Sequence, residues 1–160
     1  MHDSIPAPSI QYRVECRDKD GALKWSEDFH NLVTTGGKND LLDKYLKGSA
    51  YTAAWKLGLK GTGTAAVGDT LASHAGWSEV TPYTGNRPAI TWGTSSAGSN
   101  TATVVAFAIT LAGPTTVAGA FVTDQASGTS GILYSAGDFS VSRSVVASDT
   151  LNVTMTISFT

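Results

Sequence analysis

The most regular feature of the sequence is an alternation of apolar and polar residues. It is clearest over residues 10–16 and 151–159, where every second side chain is apolar. A period of two predicts β-strands with one buried face. Shorter segments of the same kind lie at 23–29, 55–59, 89–92, 104–111, 117–122, 132–134 and 139–145. The pattern therefore predicts about nine antiparallel strands.

Turn-forming residues separate these strands. Asp18-Lys19-Asp20-Gly21 predicts a hairpin between the first two strands, and similar signals lie at 112–114, 127–128 and 136–138. Many short strands with a turn every ten or so residues are typical of a β-sandwich or jelly roll. We therefore expect a mainly β fold of this kind.

One segment has helical spacing instead. Thr34 or Thr35 is placed to cap a helix and Gly48 to end it, which predicts one short helix at about residues 36–47. We expect this helix to cover an edge or end of the sheet with its apolar residues, which are Leu41, Leu42, Tyr45 and Leu46.

Two segments show no regular pattern. Residues 1–9 contain Pro6 and Pro8 and are interpreted as an extended arm, or equally as a frayed terminus, ahead of a single domain over 10–160. Residues 65–87 form a predicted long loop. Loops of this length are uncommon and usually functional or disordered. The large aromatic side chains Trp77 and Tyr83 argue against disorder, so the loop is a candidate contact surface.

Composition and charge exclude several partners. Charged residues make up 15% of the chain and the net charge is −2, without the dense Lys/Arg patch that nucleic acid or anionic lipid requires. No apolar run is long enough to cross a membrane, and the first residues lack the features of a secretion signal. We expect no nucleic-acid or membrane partner, and synthesis in a cytoplasm.

The residues that carry chemistry are few and scattered. The single cysteine, Cys16, excludes an internal disulfide and lies at an apolar strand position, while the three histidines form no metal-binding spacing. The carboxylate pairs 18/20, 27/28 and 40/43 lie where a turn, a strand end and a helix start account for them. We expect no catalytic residues, no metal site and no cofactor.

Aromatic residues suggest one other kind of site. Trp25 and Trp55 occupy apolar strand positions and are expected in the core. All four tryptophans, with Tyr51 and Tyr83, could in principle form a platform that stacks on a sugar, and Trp77 and Tyr83 are the ones least constrained by pattern. The aromatic residues therefore leave open a glycan-binding site.

Several short segments resemble small virion proteins of tailed bacteriophages. They are Tyr12–Gly21, Trp25, Asn31–Thr35, Lys38–Asp43, Tyr51–Trp55, Ala75–Trp77, Arg87-Pro88, Leu133–Gly137 and Arg143–Val146. The resemblance covers most of the chain, and the nearest group is the capsid cementing, or decoration, proteins. It implies a jelly-roll or sandwich fold, a place on the capsid surface and no catalysis. The alternative function is a tail or fibre module that binds a host-surface glycan with Trp77, Tyr83 or Trp92.

The resemblance also implies partners. We expect the major capsid protein to be bound across capsomer junctions, and the chain to form a homo-dimer or homo-trimer. The predicted contacts lie in the arm and in the long loop: Ile5, Pro6, Pro8, Trp77, Tyr83 and Arg87.

Overall fold

The computed structural model describes residues 8–51 and 54–159. In these residues it has nine strands and one helix. The strands are β1 (Ser9–Arg17), β2 (Leu23–Val33), β3 (Lys56–Gly63), β4 (Trp77–Val80), β5 (Ser99–Thr101), β6 (Val105–Ala108), β7 (Thr115–Thr123), β8 (Leu133–Val145) and β9 (Thr150–Ser158), and the helix is α1 (Thr35–Tyr45). The prediction of a mainly β fold with one short helix is confirmed.

All strand pairs are antiparallel and join in a single sheet. The order is β4-β3-β7-β8-β2-β1-β9-β5, and β6 also pairs with β9. β2 links the two halves of the sheet, because its residues 23–30 pair with β1 and its residues 31–33 pair with β8. The predicted hairpin is present, and Asp18 closes its turn by accepting the backbone N–H groups of Asp20 and Ala22 at 2.9 Å.

The sheet curves so that its two halves share one hydrophobic core. Leu57 of β3 and Met155 of β9 belong to the same buried cluster, although four strands lie between them. Tyr12 of β1 reaches across to β8, where its Oη lies 3.3 Å from Oγ of Ser135. This arrangement is compatible with a sandwich, and the jelly-roll topology stays a prediction.

The outer face of β3, β7 and β8 is also covered. A second buried cluster contains Leu71, Trp77, Phe121, Leu133 and Ala136, with Ala65 packed against it. Residues 64–76 therefore lie over the sheet as a cover. This explains why β3 and β7 are buried on both faces.

Some strands differ from the pattern-based prediction. The expected turn at 136–138 lies inside the continuous strand β8. The glycine in this segment has a packing role instead, because a Cβ on Gly137 would come within 2.8 Å of the Phe29 ring. Residues 89–92 make only isolated bridges, through Ala89 and Trp92. The short strand β5 was not predicted.

The segment 65–87 is not an unbroken loop. Residues 77–80 form β4, which pairs with β3 at the edge of the sheet. Four residues are too few to show a period of two against the polar residues around them.

The helix begins as predicted. Oγ1 of Thr34 accepts the backbone N–H of Gly37 at 3.0 Å and caps the first turn. Gly48 follows the helix with φ of +73°, a conformation that favours glycine. The first turn packs on β8, where Gly37 lies against the backbone of Tyr134. The prediction that the apolar residues of α1 cover the sheet is wrong for Leu42, Tyr45 and Leu46. These side chains point to solvent, because the helix contacts the sheet through glycine instead.

Candidate partner-binding surface

The end of α1 presents apolar side chains to solvent. Leu42, Tyr45 and Leu46 are 52%, 83% and 72% exposed, and their spacing places them on one side of the helix. We call these three residues the α1 apolar face. Single exposed apolar residues are ordinary, but a contiguous group of large ones marks an interaction site.

A cleft opens beside this face. Its volume is about 690 Å³, within the range of ligand-binding clefts. One wall comes from α1 and the segment that follows it, and the other from the ends of β5 and β9. Most of the lining is aromatic or aliphatic: Leu41, Tyr45, Tyr51, Trp55, Trp92, Val122, Tyr134, Ile157 and Phe159. We call it the aromatic cleft.

Ring contacts fix the shape of the cleft wall. Trp55 packs edge-on against Tyr134, with ring centroids 5.1 Å apart, and its Nε1 donates to Oη of Tyr51 at 2.5 Å. Lys44 donates to the carbonyl of Ala50 at 2.8 Å, and its Nζ lies 5.9 Å from the centre of the Tyr51 ring. These contacts hold Tyr51 and Trp55 at the cleft without filling it.

The few charged groups in the cleft lie on α1. Partial burial raises the pKa of Asp40, with the charges of Asp124 and Asp43 adding to this effect and the nearby Lys44 opposing it. Burial also raises the pKa of the Tyr51 and Tyr134 phenols. The cleft is therefore a poorly hydrated surface with one acid and one base at its side, which suits an apolar occupant more than a charged one.

Trp77 lies inside the protein. It is 6% exposed, its Nε1 donates to Asp69 at 2.9 Å, and its ring stacks on His74 with centroids 4.0 Å apart. The Phe121 ring also packs against Trp77, with ring centroids 5.3 Å apart. The side chain therefore holds the covering segment 64–76 on the sheet, and it offers no surface to a partner in this conformation.

Arg87 has a similar internal role. Its guanidinium forms a two-pronged ion pair with Glu79, at 2.8 and 2.6 Å, and donates to the carbonyls of Gln125 and Gly128 at 3.0 Å each. The group lies 5.3 Å from the centre of the Phe121 ring. It ties β4 to the loop after β7, which is a bidentate structural use of arginine.

The remaining predicted contacts divide between the core and the arm. Tyr83 packs against the core beside Phe107, with ring centroids 4.9 Å apart, and burial raises its pKa to about 12. Pro8 is half-buried, directly before β1. Ile5 and Pro6 lie outside the described residues. Of the aromatic residues considered for glycan binding, Tyr51, Trp55 and Trp92 line the aromatic cleft, whereas Trp77 and Tyr83 do not.

A buried ion pair lies under the covering segment. Lys60 is completely buried, and its Nζ is 2.7 Å from Oδ1 of Asp138. It also donates to the backbone carbonyls of Gly61 and Gly63. In the sheet Lys60 and Asp138 both face Gly119, which lies between them on β7. Gly119 has no room for a side chain, because a Cβ would come within 2.1 Å of the backbone oxygen of Gly137 on β8.

The groups considered for chemistry stay apart. Within residues 8–51 and 54–159, no group of three or more His, Cys, Asp or Glu side chains is placed to hold a metal ion. Cys16 is buried in the core, and burial raises its pKa to about 11. The helix in this part of the chain is not long and apolar enough to cross a membrane.

Similarity to known proteins gives no further guide to the site. No protein-family model matches the chain, and no curated protein matches it in sequence. The function is therefore argued from the surface itself.

Sequence reasoning missed the aromatic cleft. Tyr51 and Trp55 are close in the chain, but the opposite wall comes from residues about 40 and 100 positions later. The apolar residues of α1 were predicted but were assigned to the core, so the exposed surface that they form was not expected. The sequence did contain one signal for an exposed apolar surface. The helix has an excess of apolar residues, and its first turn contains two glycines, Gly36 and Gly37.

Proposed function

We propose that this chain is a non-enzymatic structural protein of a tailed-phage virion, which binds the outside of the assembled capsid across capsomer junctions and stabilises it. One observation carries the proposal: the α1 apolar face and the aromatic cleft form an exposed apolar surface at one end of a charge-poor domain. A contiguous exposed apolar surface of this kind marks an interaction site. The phage resemblance of the sequence supplies the class of partner, the major capsid protein.

The mechanism is binding linked to assembly. A protein that binds the assembled shell, and not its separated subunits, stabilises the shell by its binding free energy. Many copies bound across junctions add their contributions. This role requires a rigid domain with a partner-binding surface, and it requires no reacting groups.

The structure changes which residues we assign to the contact. Trp77 and Arg87 are committed to internal packing, so we move the main contact to Leu42, Tyr45 and Leu46. The arm, residues 1–9, stays in the proposal because it enters the fold beside the cleft: Ser9 pairs with Ser158, which also pairs with Ser99 of the cleft lining. Ser9, where the arm joins β1, therefore lies next to the proposed contact surface.

The test is cosedimentation with phage heads that lack this protein. We expect saturable binding and heads that resist a higher temperature. The double variant Tyr45→Glu/Leu46→Glu should lose most of this binding, because charges would be placed in an apolar contact. The matched control is Leu23→Glu, since Leu23 is 51% exposed but lies at the far end of β1 and β2.

Two results would overturn the proposal. Wild-type protein that does not bind heads contradicts the capsid role, and full binding by the double variant contradicts the assigned surface. The alternative, a tail or fibre module that binds a host glycan, would then be tested on a glycan array. Trp92→Ala is the variant for that array, because Trp92 lines the cleft.

A further inference from the structure

We infer that the aromatic cleft is the docking site for the first seven residues of the same chain, with Pro6 as the inserted side chain. The inference concerns the isolated protein and does not rest on the proposed function. It starts from three observations: where the segment joins the fold, what it is made of, and what lines the cleft.

The segment joins the fold at the rim of the cleft. The antiparallel register pairs Ser9 with Ser158 and Ile10 with Ile157. The same register continued by one residue places Pro8 next to Phe159. Both Ile157 and Phe159 line the cleft. The chain before Pro8 therefore starts at the cleft wall.

The alternation of β1 also sets which side chains face the cleft. Ile10 and Tyr12 point into the core, so the even positions of this strand face inward. If this alternation is extended toward the N-terminus, Pro8 and then Pro6 are the next even positions. Seven residues in an extended polyproline conformation would span about 22 Å.

The composition of the segment matches the lining. Ser4-Ile5-Pro6-Ala7-Pro8 is uncharged and has two prolines in alternate positions. Proline-containing extended segments bind in grooves lined by aromatic rings, because their preformed conformation loses little entropy on binding. Tyr45, Tyr51, Trp55 and Trp92 supply such rings on both sides of the cleft.

The same chain is favoured over a second copy by effective concentration. A segment tethered within a few residues of its site is present there at an effective concentration in the millimolar range for short linkers. A neighbouring molecule would have to reach that concentration in solution to compete. We therefore assign the segment to the cleft of its own chain.

A spin-label experiment tests the assignment. A nitroxide is attached to Ile5→Cys in ¹⁵N-labelled protein, and the side-chain N–H signals of the four tryptophans are recorded. Cys16 is buried and should stay unlabelled, which the wild-type chain carried through the same reaction checks. We expect loss of the Trp55 and Trp92 signals, while Trp25 and Trp77 keep most of their intensity.

A matched control label shows that the effect depends on position. Ala22 is exposed in the hairpin turn, at the end of β1 opposite to Ser9. A label on Ala22→Cys should weaken the signal of Trp25 and leave those of Trp55 and Trp92 unchanged. The same pattern from both labels would overturn the inference.

A mixed sample separates the two sources of the segment. Spin-labelled protein without ¹⁵N is added to ¹⁵N-labelled protein without a spin label. Unchanged Trp55 and Trp92 signals in this mixture support docking within one chain. Their loss in the mixture would show that the segment occupies a second copy, and would overturn the assignment.

A truncated chain gives an independent measurement. In a chain that begins at Pro8, a peptide of residues 1–9 should shift the Trp55 and Trp92 signals. The same peptide with Asp at positions 5 and 6 should not, because a charge would enter an apolar cleft. Equal shifts by both peptides, or no shift by either, would contradict the inference.

Discussion

Replacing Asp138 by alanine should destabilise the protein substantially, because it removes the charged partner of a buried lysine. Lys60 is completely buried, and Oδ1 of Asp138 lies 2.7 Å from its Nζ. Breaking a fully buried ion pair on one side costs about 3–5 kcal/mol. Asp138 is 33% exposed, so water partly screens the pair and we expect about 2–3 kcal/mol. For a chain of this size this lowers Tm by about 4–12 °C.

The double variant Lys60→Met/Asp138→Ala separates charge from packing. Methionine keeps most of the lysine stem, so the double variant should be more stable than Asp138→Ala alone, even though it carries one more substitution. Urea unfolding followed by tryptophan fluorescence gives the three free energies. Additive effects, or a cost below about 0.5 kcal/mol for Asp138→Ala, would refute the reasoning, because a cost that small is ordinary for a surface substitution.

Three further predictions concern single positions. Gly37→Ala should cost about 1–3 kcal/mol, because its Cβ would collide with the backbone of β8, whereas the matched Gly36→Ala has room and should stabilise α1 by about 0.5–1 kcal/mol; thermal unfolding compares them. Burial alone would raise the pKa of Asp149, but hydrogen bonds from Lys24 and a backbone N–H outweigh it and lower the pKa. Its contribution is therefore present above about pH 4 and lost as the pH falls through the folded-state pKa, so the stability gap between wild type and Asp149→Asn should close in urea titrations below pH 4. Cys16 should not react with a thiol reagent at pH 7 until the protein unfolds, since burial raises its pKa to about 11; rapid native labelling would contradict this.

The strands whose burial pattern could be predicted from the sequence are those with one buried face and one solvent-exposed face. In β1, and in β9 as far as Met155, the alternation of the sequence matches the alternation of burial, because one face packs on the core and the other faces outward. The alternation ends at the cleft, where Ile157 is half-buried and Phe159 is exposed. β3 and β7 are buried on both faces, so sequence alternation could not reveal that Lys60 lies inside. Its burial depends on the covering segment, which has no pattern of its own.

The helix shows a different limit. Apolar spacing correctly indicated a helix near residues 36–47, and Thr34 was correctly among the expected caps. The same spacing cannot distinguish a face buried in the chain's own core from one left for a partner, because both need identical side chains. Here the contact with the sheet is made by Gly37, and the apolar stripe is left exposed.

The shared strand β2 has a consequence for how the domain loses its structure. Its first eight residues belong to the half of the sheet with β1, and its last three to the half with β8. Neither half of the sheet can separate fully without breaking hydrogen bonds to β2, the strand that the other half also uses. Amide hydrogens of β1 and of β8 should therefore exchange through one cooperative opening with a common free energy, so that the domain behaves as a single unit rather than as two separable layers.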